Sequence, residues 1–158
     1  MAAERKYPPL ETLERIKAWC DRQERAHSEV RRKLASWAVY GEETENIIAE
    51  LISTDYLNEE RYARAFARGK SRLKAWGWRK IKNELKAGGV SDFSLKMARE
   101  EIDEDEYRQG LYRLLEKKAS SVKASNAFEK RQKVYRYLVG KGYEMDDIKE
   151  AWEVLYSD

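Results

Sequence analysis

The stretch that decides the fold is DYLNEERYARAFARGKSRLKAWGWRKIKNELKAGGV, from Asp55 to Val90. Apolar residues recur in it at three- and four-residue spacing, which predicts two consecutive α-helices. The first is expected from Asn58 to about Lys74, and the second from Trp78 to Ala87, followed by a glycine pair that suits a helix C-terminus. The apolar side of the first helix is predicted to contain Tyr62, Ala65, Phe66 and Leu73.

The same succession of a helix, a shorter helix, a turn and a third helix occurs three times along the chain. In each unit an aliphatic residue lies four positions before an anchoring leucine, in the pairs Val30/Leu34, Ile81/Leu85 and Val134/Leu138. Those leucines are 51 and 53 residues apart, a period typical of helical repeats. The predicted core positions that follow each of these leucines are apolar in all three units, except at Thr44.

The repeat predicts an all-α fold, an elongated array of three tandem three-helix units with about nine helices. A unit of this size is marginal alone, so stacked neighbours are expected to complete its core. The predicted divisions are 1–55 (an N-terminal tail and the first unit), 56–103 (the second, basic unit) and 104–158 (the third unit).

The first unit contains the only cysteine and the only histidine. Pro8 and Pro9 introduce a helix expected to end at about Arg25, and Ser28 is the predicted N-cap of the next helix. Cys20 lies on the first of these helices and is interpreted as a small buried hydrophobe. One cysteine and His27 exclude a disulfide framework and an ordinary Cys/His metal site.

Charge is distributed in blocks, although the formal net charge is only +3. Every charged residue from Gly41 to Glu60 is acidic, whereas ten basic residues and the single acid Glu84 lie between Arg61 and Lys86. Such alternation predicts a surface with separate positive and negative zones.

A catalytic function has little support in the sequence, and no catalytic residue, cofactor or metal ligand is predicted. There is no glycine-rich phosphate loop, because the glycines fall at predicted helix ends. His27 and Ser28 are adjacent at the start of a helix, and neighbouring acids on a helix point in different directions. A soluble, cytoplasmic protein is expected, since no signal segment or membrane-spanning run is present. A monomer is expected as well, as a separate prediction.

The basic run is the strongest candidate for a binding surface. Arg61, Arg64 and Arg68 form one stripe on a helix, which is suited to neutralising phosphates or to matching an acidic protein surface. An ordinary solvated helix face is the alternative interpretation, and the tryptophans are suited either to base stacking or to filling gaps between helices. The candidate partner- or nucleic-acid-binding residues are Arg61, Arg64, Arg68, Arg72, Lys74, Trp76, Trp78, Arg79, Lys80, Lys82 and Lys86.

The residues resemble the bacterial RecX family, the regulators of the RecA recombinase. The run from Tyr56 to Ala63 is similar to the family's signature of an aromatic or Leu, Leu, Asp/Asn, two acids, Arg, an aromatic and Ala. Resemblance extends over about Ile16 to Leu155, and the turn Ser36 to Val39 departs from it by lacking the usual basic-Gly pair. Further matching residues are those of Arg25 to Leu34, then Gly77, Ile81, Glu84, Leu85, Gly89 and Val90, and finally Lys133, Leu138, Gly142 and Tyr143.

The resemblance implies three tandem three-helix units and a non-catalytic regulator. RecX proteins bind in the groove of the RecA filament on single-stranded DNA and cap or destabilise it. This lowers ATP hydrolysis, strand exchange and stimulation of repressor self-cleavage, and thereby modulates recombination, DNA repair and the SOS response. The alternative from the residues alone is a stand-alone, sequence-nonspecific nucleic-acid-binding protein, because three-helix units can resemble helix-turn-helix modules.

Overall fold

The structure, a computed structural model, describes residues 3–156, which contain nine α-helices and no strand. The all-α prediction is therefore confirmed over this range. Residues 1–2 and 157–158 of the predicted first and third units lie outside the described residues, and the proposed division into three units stays a prediction. The helices are α1 (Pro9–Arg22), α2 (His27–Ser36), α3 (Gly41–Ser53), α4 (Glu59–Lys74), α5 (Trp78–Ala87), α6 (Asp92–Glu100), α7 (Glu104–Ser121), α8 (Ala127–Gly140) and α9 (Met145–Tyr156).

Two predicted helix ends in the first unit are wrong. Helix α1 ends at Arg22 rather than Arg25. Arg25 turns back instead: its Nη2 donates to the carbonyl of Trp19 at 3.1 Å and its guanidinium lies 3.8 Å from the Trp19 ring centroid. Helix α2 is capped at Ala26, whose N–H donates to the Glu29 carboxylate at 2.9 Å, so Ser28 falls inside the first turn.

The described part of the predicted N-terminal tail is attached to the first unit. Arg5 pairs with Glu43 at 2.8 Å, and the N–H of Lys6 donates to the carbonyl of Trp37 at 3.0 Å. Tyr7 packs edge-on against Trp37 with 5.3 Å between ring centroids. Polar and aromatic contacts thus extend the first unit beyond its helices.

Helix α4 buries a different face from the one predicted. Ala63 and Ala67 are completely buried, whereas Leu73 is 84% exposed and Tyr62 and Phe66 are half-buried. Small side chains allow the close packing of α4 against α6, and this contact is the most extensive between any two helices of the described chain. Periodicity identified the helix correctly. The predicted buried face was wrong because it was assigned from the large aromatic residues and not from the alanines.

The buried side chains form two separate hydrophobic clusters. The first lies in α1–α3 and their connecting segments, is completed by Leu57 after α3 and contains ten buried residues, and the second extends through α4–α9 and contains eighteen. Thr44 fits the first unit despite its hydroxyl, because Oγ1 donates to the carbonyl of Val39 at 3.1 Å. Cys20 is also buried there, and burial raises the pKa of its thiol to about 11. The second and third units therefore share one core, to which the first unit does not contribute.

A backbone contact also joins the second and third units. The N–H of Gly77 donates to the carbonyl of Lys141 at 2.7 Å, and the N–H of Arg79 donates to the carbonyl of Gly142 at 3.0 Å. A Cβ on Gly77 would lie 2.2 Å from the backbone carbon of Gly142, so only glycine fits. The Tyr107 hydroxyl accepts from the N–H of Trp78 at 2.8 Å. Groups of the third unit thereby satisfy the first amides of α5, which has no side-chain N-cap.

Across residues 3–156, no helix combines the length and the apolar character needed to cross a lipid bilayer.

Candidate interaction surface

The arginine stripe of α4 is occupied by carboxylates of the same chain. Arg64 pairs with Glu60 and with Glu101, each at 3.1 Å, and Arg68 pairs with Glu101 at 2.5 Å. These arginines hold the pKa of Glu101 below its usual range, with the hydrogen bond from Arg68 as the largest cause. Arg72 pairs with Glu106 at 3.1 Å. The stripe therefore connects α4 to α6 and α7.

Arg61, at the start of the stripe, connects the first unit to the second. Its Nε donates to Glu24 at 2.5 Å, and its Nη1 pairs with Asp55 at 3.0 Å. Glu24 belongs to the segment between α1 and α2, whereas Asp55 belongs to the segment between α3 and α4. An open cleft of about 640 Å³ lies beside this contact, between α2 of the first unit and α4 and α5 of the second. Arg61 thus forms a side-chain ion pair between the first and second units.

Helix α5 carries a second basic stripe that is more open to a partner. Arg79, Lys82 and Lys86 are all exposed and follow three- and four-residue spacing. The carboxylate of Glu144 lies 3.8 Å from Arg79, a long and exposed contact. Within residues 3–156, no carboxylate lies within 4.0 Å of the ammonium of Lys82 or Lys86. This stripe, Arg79, Lys82 and Lys86, is called the α5 stripe below.

The remaining basic residues converge on Trp76 from three segments. Lys70 and Lys80 place their Nζ atoms 4.8 and 4.4 Å from the Trp76 ring centroid. Lys141, in the turn after α8, donates from Nζ to the carbonyl of Lys74 at 3.0 Å. We call Lys70, Lys74, Lys80 and Lys141 the lysine cluster. Lys70 lies two residues after Arg68, or about 200° around the helix, so the cluster and the arginine stripe face opposite sides of α4.

The two candidate tryptophans occupy different environments. Trp76 is half-buried, with its ring 6.3 Å from that of Phe66. Trp78 is also half-buried, but the guanidinium of Arg99 lies 5.8 Å from its ring centroid on the side of α6. Both rings pack against the shared core of the second and third units. Both tryptophans therefore fill space between helices with the buried part of their rings. Trp76 is also covered by Lys70 and Lys80.

The predicted basic site residues therefore do not form one face. They divide among the arginine stripe of α4, the α5 stripe and the lysine cluster. Lys70 and Lys141 belong to the lysine cluster, although neither was among the predicted site residues. Lys70 falls in the same basic run, and Lys141 lies between the two glycines of the last turn. Only the backbone contact between the units brings Lys141 to the end of α4, so sequence spacing does not reveal this neighbour.

Family comparisons agree with this architecture. A family model described as the second three-helix domain of RecX matches residues 58–93, and one described as the third three-helix domain of RecX matches residues 104–152. The chain is 32% identical over 124 residues to the regulatory protein RecX of Clostridium perfringens, which covers 77% of this chain and 58% of that protein. It is 32% identical over 108 residues to the regulatory protein RecX of Salmonella paratyphi A, and this match covers 68% of this chain and 63% of that protein.

The matched region thus spans less than two thirds of either relative.

Solved structures share the fold over a longer range. The crystal structure of RecX from Lactobacillus salivarius has a TM-score of 0.81 and 24% identity, covering 93% of this chain and 96% of that one. A second crystal structure, of a regulatory protein RecX, also has a TM-score of 0.81. Its identity is 19%, and the match covers 90% of this chain and 71% of that one. With two RecX domains matched in order and two relatives at 32% identity, this chain belongs to the RecX family.

Proposed function

We propose that this protein is a non-catalytic regulator that binds the RecA filament on single-stranded DNA and inhibits it. Inhibition would lower ATP hydrolysis, strand exchange and stimulation of repressor self-cleavage, and so modulate recombination, DNA repair and the SOS response in the cytoplasm. Membership of a family whose relatives are named regulatory protein RecX carries the proposal. The protein is proposed to act as a monomer.

The joined second and third units support the proposal physically. Their shared core and backbone contact hold the α5 stripe and the lysine cluster in a fixed relation. A rigid cationic surface of this kind is suited to a filament, because it presents several charges at once without first ordering a flexible segment. The basic candidate residues stay a predicted contact surface, with the paired arginines of α4 serving mainly to hold the helices together.

The decisive experiment measures RecA's DNA-dependent ATP hydrolysis while this protein is titrated in at substoichiometric ratios. We expect inhibition well below one molecule per RecA protomer, because a regulator bound to a filament acts on many protomers. A variant with Arg79, Lys82 and Lys86 changed to Glu is expected to lose inhibition and keep its helical circular dichroism spectrum. The matched control changes the exposed lysines Lys96, Lys117 and Lys149 to Glu. Unchanged inhibition by the first variant at physiological salt would remove the α5 stripe from the site.

A stand-alone nucleic-acid-binding protein is the second candidate, favoured by the lysines around Trp76. It predicts tight binding to bare DNA that falls steeply with salt, without any effect on RecA. Carboxylates of Gly41–Ser53 and of residues 100–106 oppose a phosphate backbone lying along the whole chain. Tight binding to bare DNA together with no inhibition of RecA would replace the first proposal with this one.

A further inference from the structure

The lysine cluster concentrates positive charge where the second and third units meet. Lys70 and Lys74 come from the end of α4, Lys80 from the first turn of α5 and Lys141 from the turn between α8 and α9. Trp76 lies among them, with two ammonium groups within 5 Å of its ring centroid. Residues far apart in the sequence thus build one site.

No carboxylate of the described residues forms an ion pair with the lysines of this site. Among the described residues, none lies within 4.0 Å of the ammonium of a cluster lysine, whereas every arginine of the α4 stripe has such a partner. Burial lowers the pKa of Lys141, and the charges of Lys80 and Lys74 lower it further. The ammonium groups therefore repel one another, and a bound anion would relieve that repulsion.

The type of side chain indicates which anion fits. Arginine presents a planar fork that matches a carboxylate, and in this chain the arginines of α4 already have carboxylates. Lysine is a compact point charge on a flexible stem, which can follow a phosphate without fixed geometry. The half-buried Trp76 ring supplies an aromatic face on which a base can stack, a sequence-tolerant contact typical of single-strand binding.

We propose that the lysine cluster and Trp76 bind single-stranded nucleic acid, with the lysines on consecutive phosphates and a base on the indole ring. On binding, Lys70 and Lys80 exchange their contact with the ring for contacts with phosphate, and the base takes their place. This inference rests on the proposed function, in that it assigns the DNA strand of the filament to the lysine cluster and leaves the α5 stripe for RecA.

The test compares a variant carrying Lys74→Gln, Lys80→Gln and Lys141→Gln with a control carrying Lys96→Gln, Lys117→Gln and Lys149→Gln. Both lose three positive charges, so net charge is matched. Binding to a fluorescein-labelled oligothymidylate is followed by anisotropy over a range of salt concentrations, and ATP hydrolysis by RecA is measured in parallel. Removing three phosphate contacts is expected to reduce the salt slope by about 2 and the affinity at ~0.1 M salt by roughly 100-fold. The control is expected to keep the wild-type slope.

Two single variants keep the test valid if the triple variant folds poorly. Lys80→Gln alone is expected to reduce the salt slope by about 0.7. Trp76→Leu is expected to weaken binding by roughly 5- to 100-fold with the slope unchanged, because stacking releases no counterions.

The outcomes distinguish failure of this inference from failure of the proposed function. Wild-type affinity and slope in the cluster variants would overturn this inference. Lost inhibition of RecA with DNA binding intact would also overturn it, by assigning the cluster to a protein surface, while the proposed function would stand. Cluster-dependent DNA binding by a protein that leaves RecA unaffected would support this inference and overturn the proposed function.

Discussion

Gly77 and Gly142 show how single residues hold two units together. A side chain on Gly142 would meet the carbonyl of Gly77 at 2.7 Å, and its φ of +103° also lies in the region that favours glycine. Gly142 was predicted to lie at a helix end, and its positive φ agrees with that prediction. The contact with Gly77 was not predicted, since it joins residues 65 positions apart. Local spacing identifies a turn but does not say what approaches it.

Gly77→Ala is expected to lower the free energy of unfolding by at least about 1–3 kcal/mol, because the added methyl would overlap the backbone of the third unit. Gly69→Ala is the matched control. A Cβ at Gly69, inside α4, meets nothing within 4 Å, and removing glycine from a helix interior stabilises by about 0.5–1 kcal/mol. Urea unfolding measures both variants. Equal effects of the two substitutions would show that the Gly77 contact is not needed for stability.

At the scale of elements, the sequence predicted the helices well and their mutual arrangement poorly. Trp78–Ala87 matches the predicted helix at both ends, because its apolar residues and the following glycines give clear signals. The arginine stripe of α4 was also predicted, and its residues do lie on one side of the helix. Apart from Glu60 of α4 itself, its carboxylate partners come from α7 and the interhelix segments, so only the folded chain shows how fully the stripe is occupied.

Glu101→Gln is expected to loosen α4 from α6, because Glu101 accepts from both Arg64 and Arg68. We expect the urea midpoint to fall by a few tenths of a molar unit at low salt, with a smaller effect at high salt. Glu101 has a lowered pKa, so its contribution is fully present above pH 4.5 and is lost as the pH falls further. Glu106→Gln, which affects Arg72 alone, is the control and should change the midpoint less. A pH-independent difference would contradict an ionic origin.

For the whole molecule, the buried side chains of the described residues fall into two hydrophobic clusters. Stacked neighbours were expected to complete a unit's core, and the second and third units do share one core and one backbone contact. The first unit keeps its own smaller core. Sequence periodicity does not distinguish these arrangements, because the same inward-facing residues serve an isolated unit and a stacked one.

We therefore expect hydrogen exchange to separate the first unit from the rest. Amides of α2 and α3 are expected to exchange through an opening of lower free energy than amides of α5 and α8, because fewer buried residues support them. Mass spectrometry of peptides from exchanged protein measures this. Arg61→Met should increase exchange at the boundary segments, whereas Arg15→Met, which removes an exposed pair within α1, should not. Identical exchange in helices α1–α9 would indicate one cooperative unit.

The contact at Gly77 also bears on how the protein is made. The amides of Gly77 and Arg79 find their acceptors only at residues 141 and 142, more than 60 residues later in the sequence. A nascent chain that has left the ribosome only as far as Ser121 therefore holds the start of α5 without its final partners. The second unit completes its structure only after residues 141 and 142 have been translated, while the first unit, with its own core, is free to fold as it emerges.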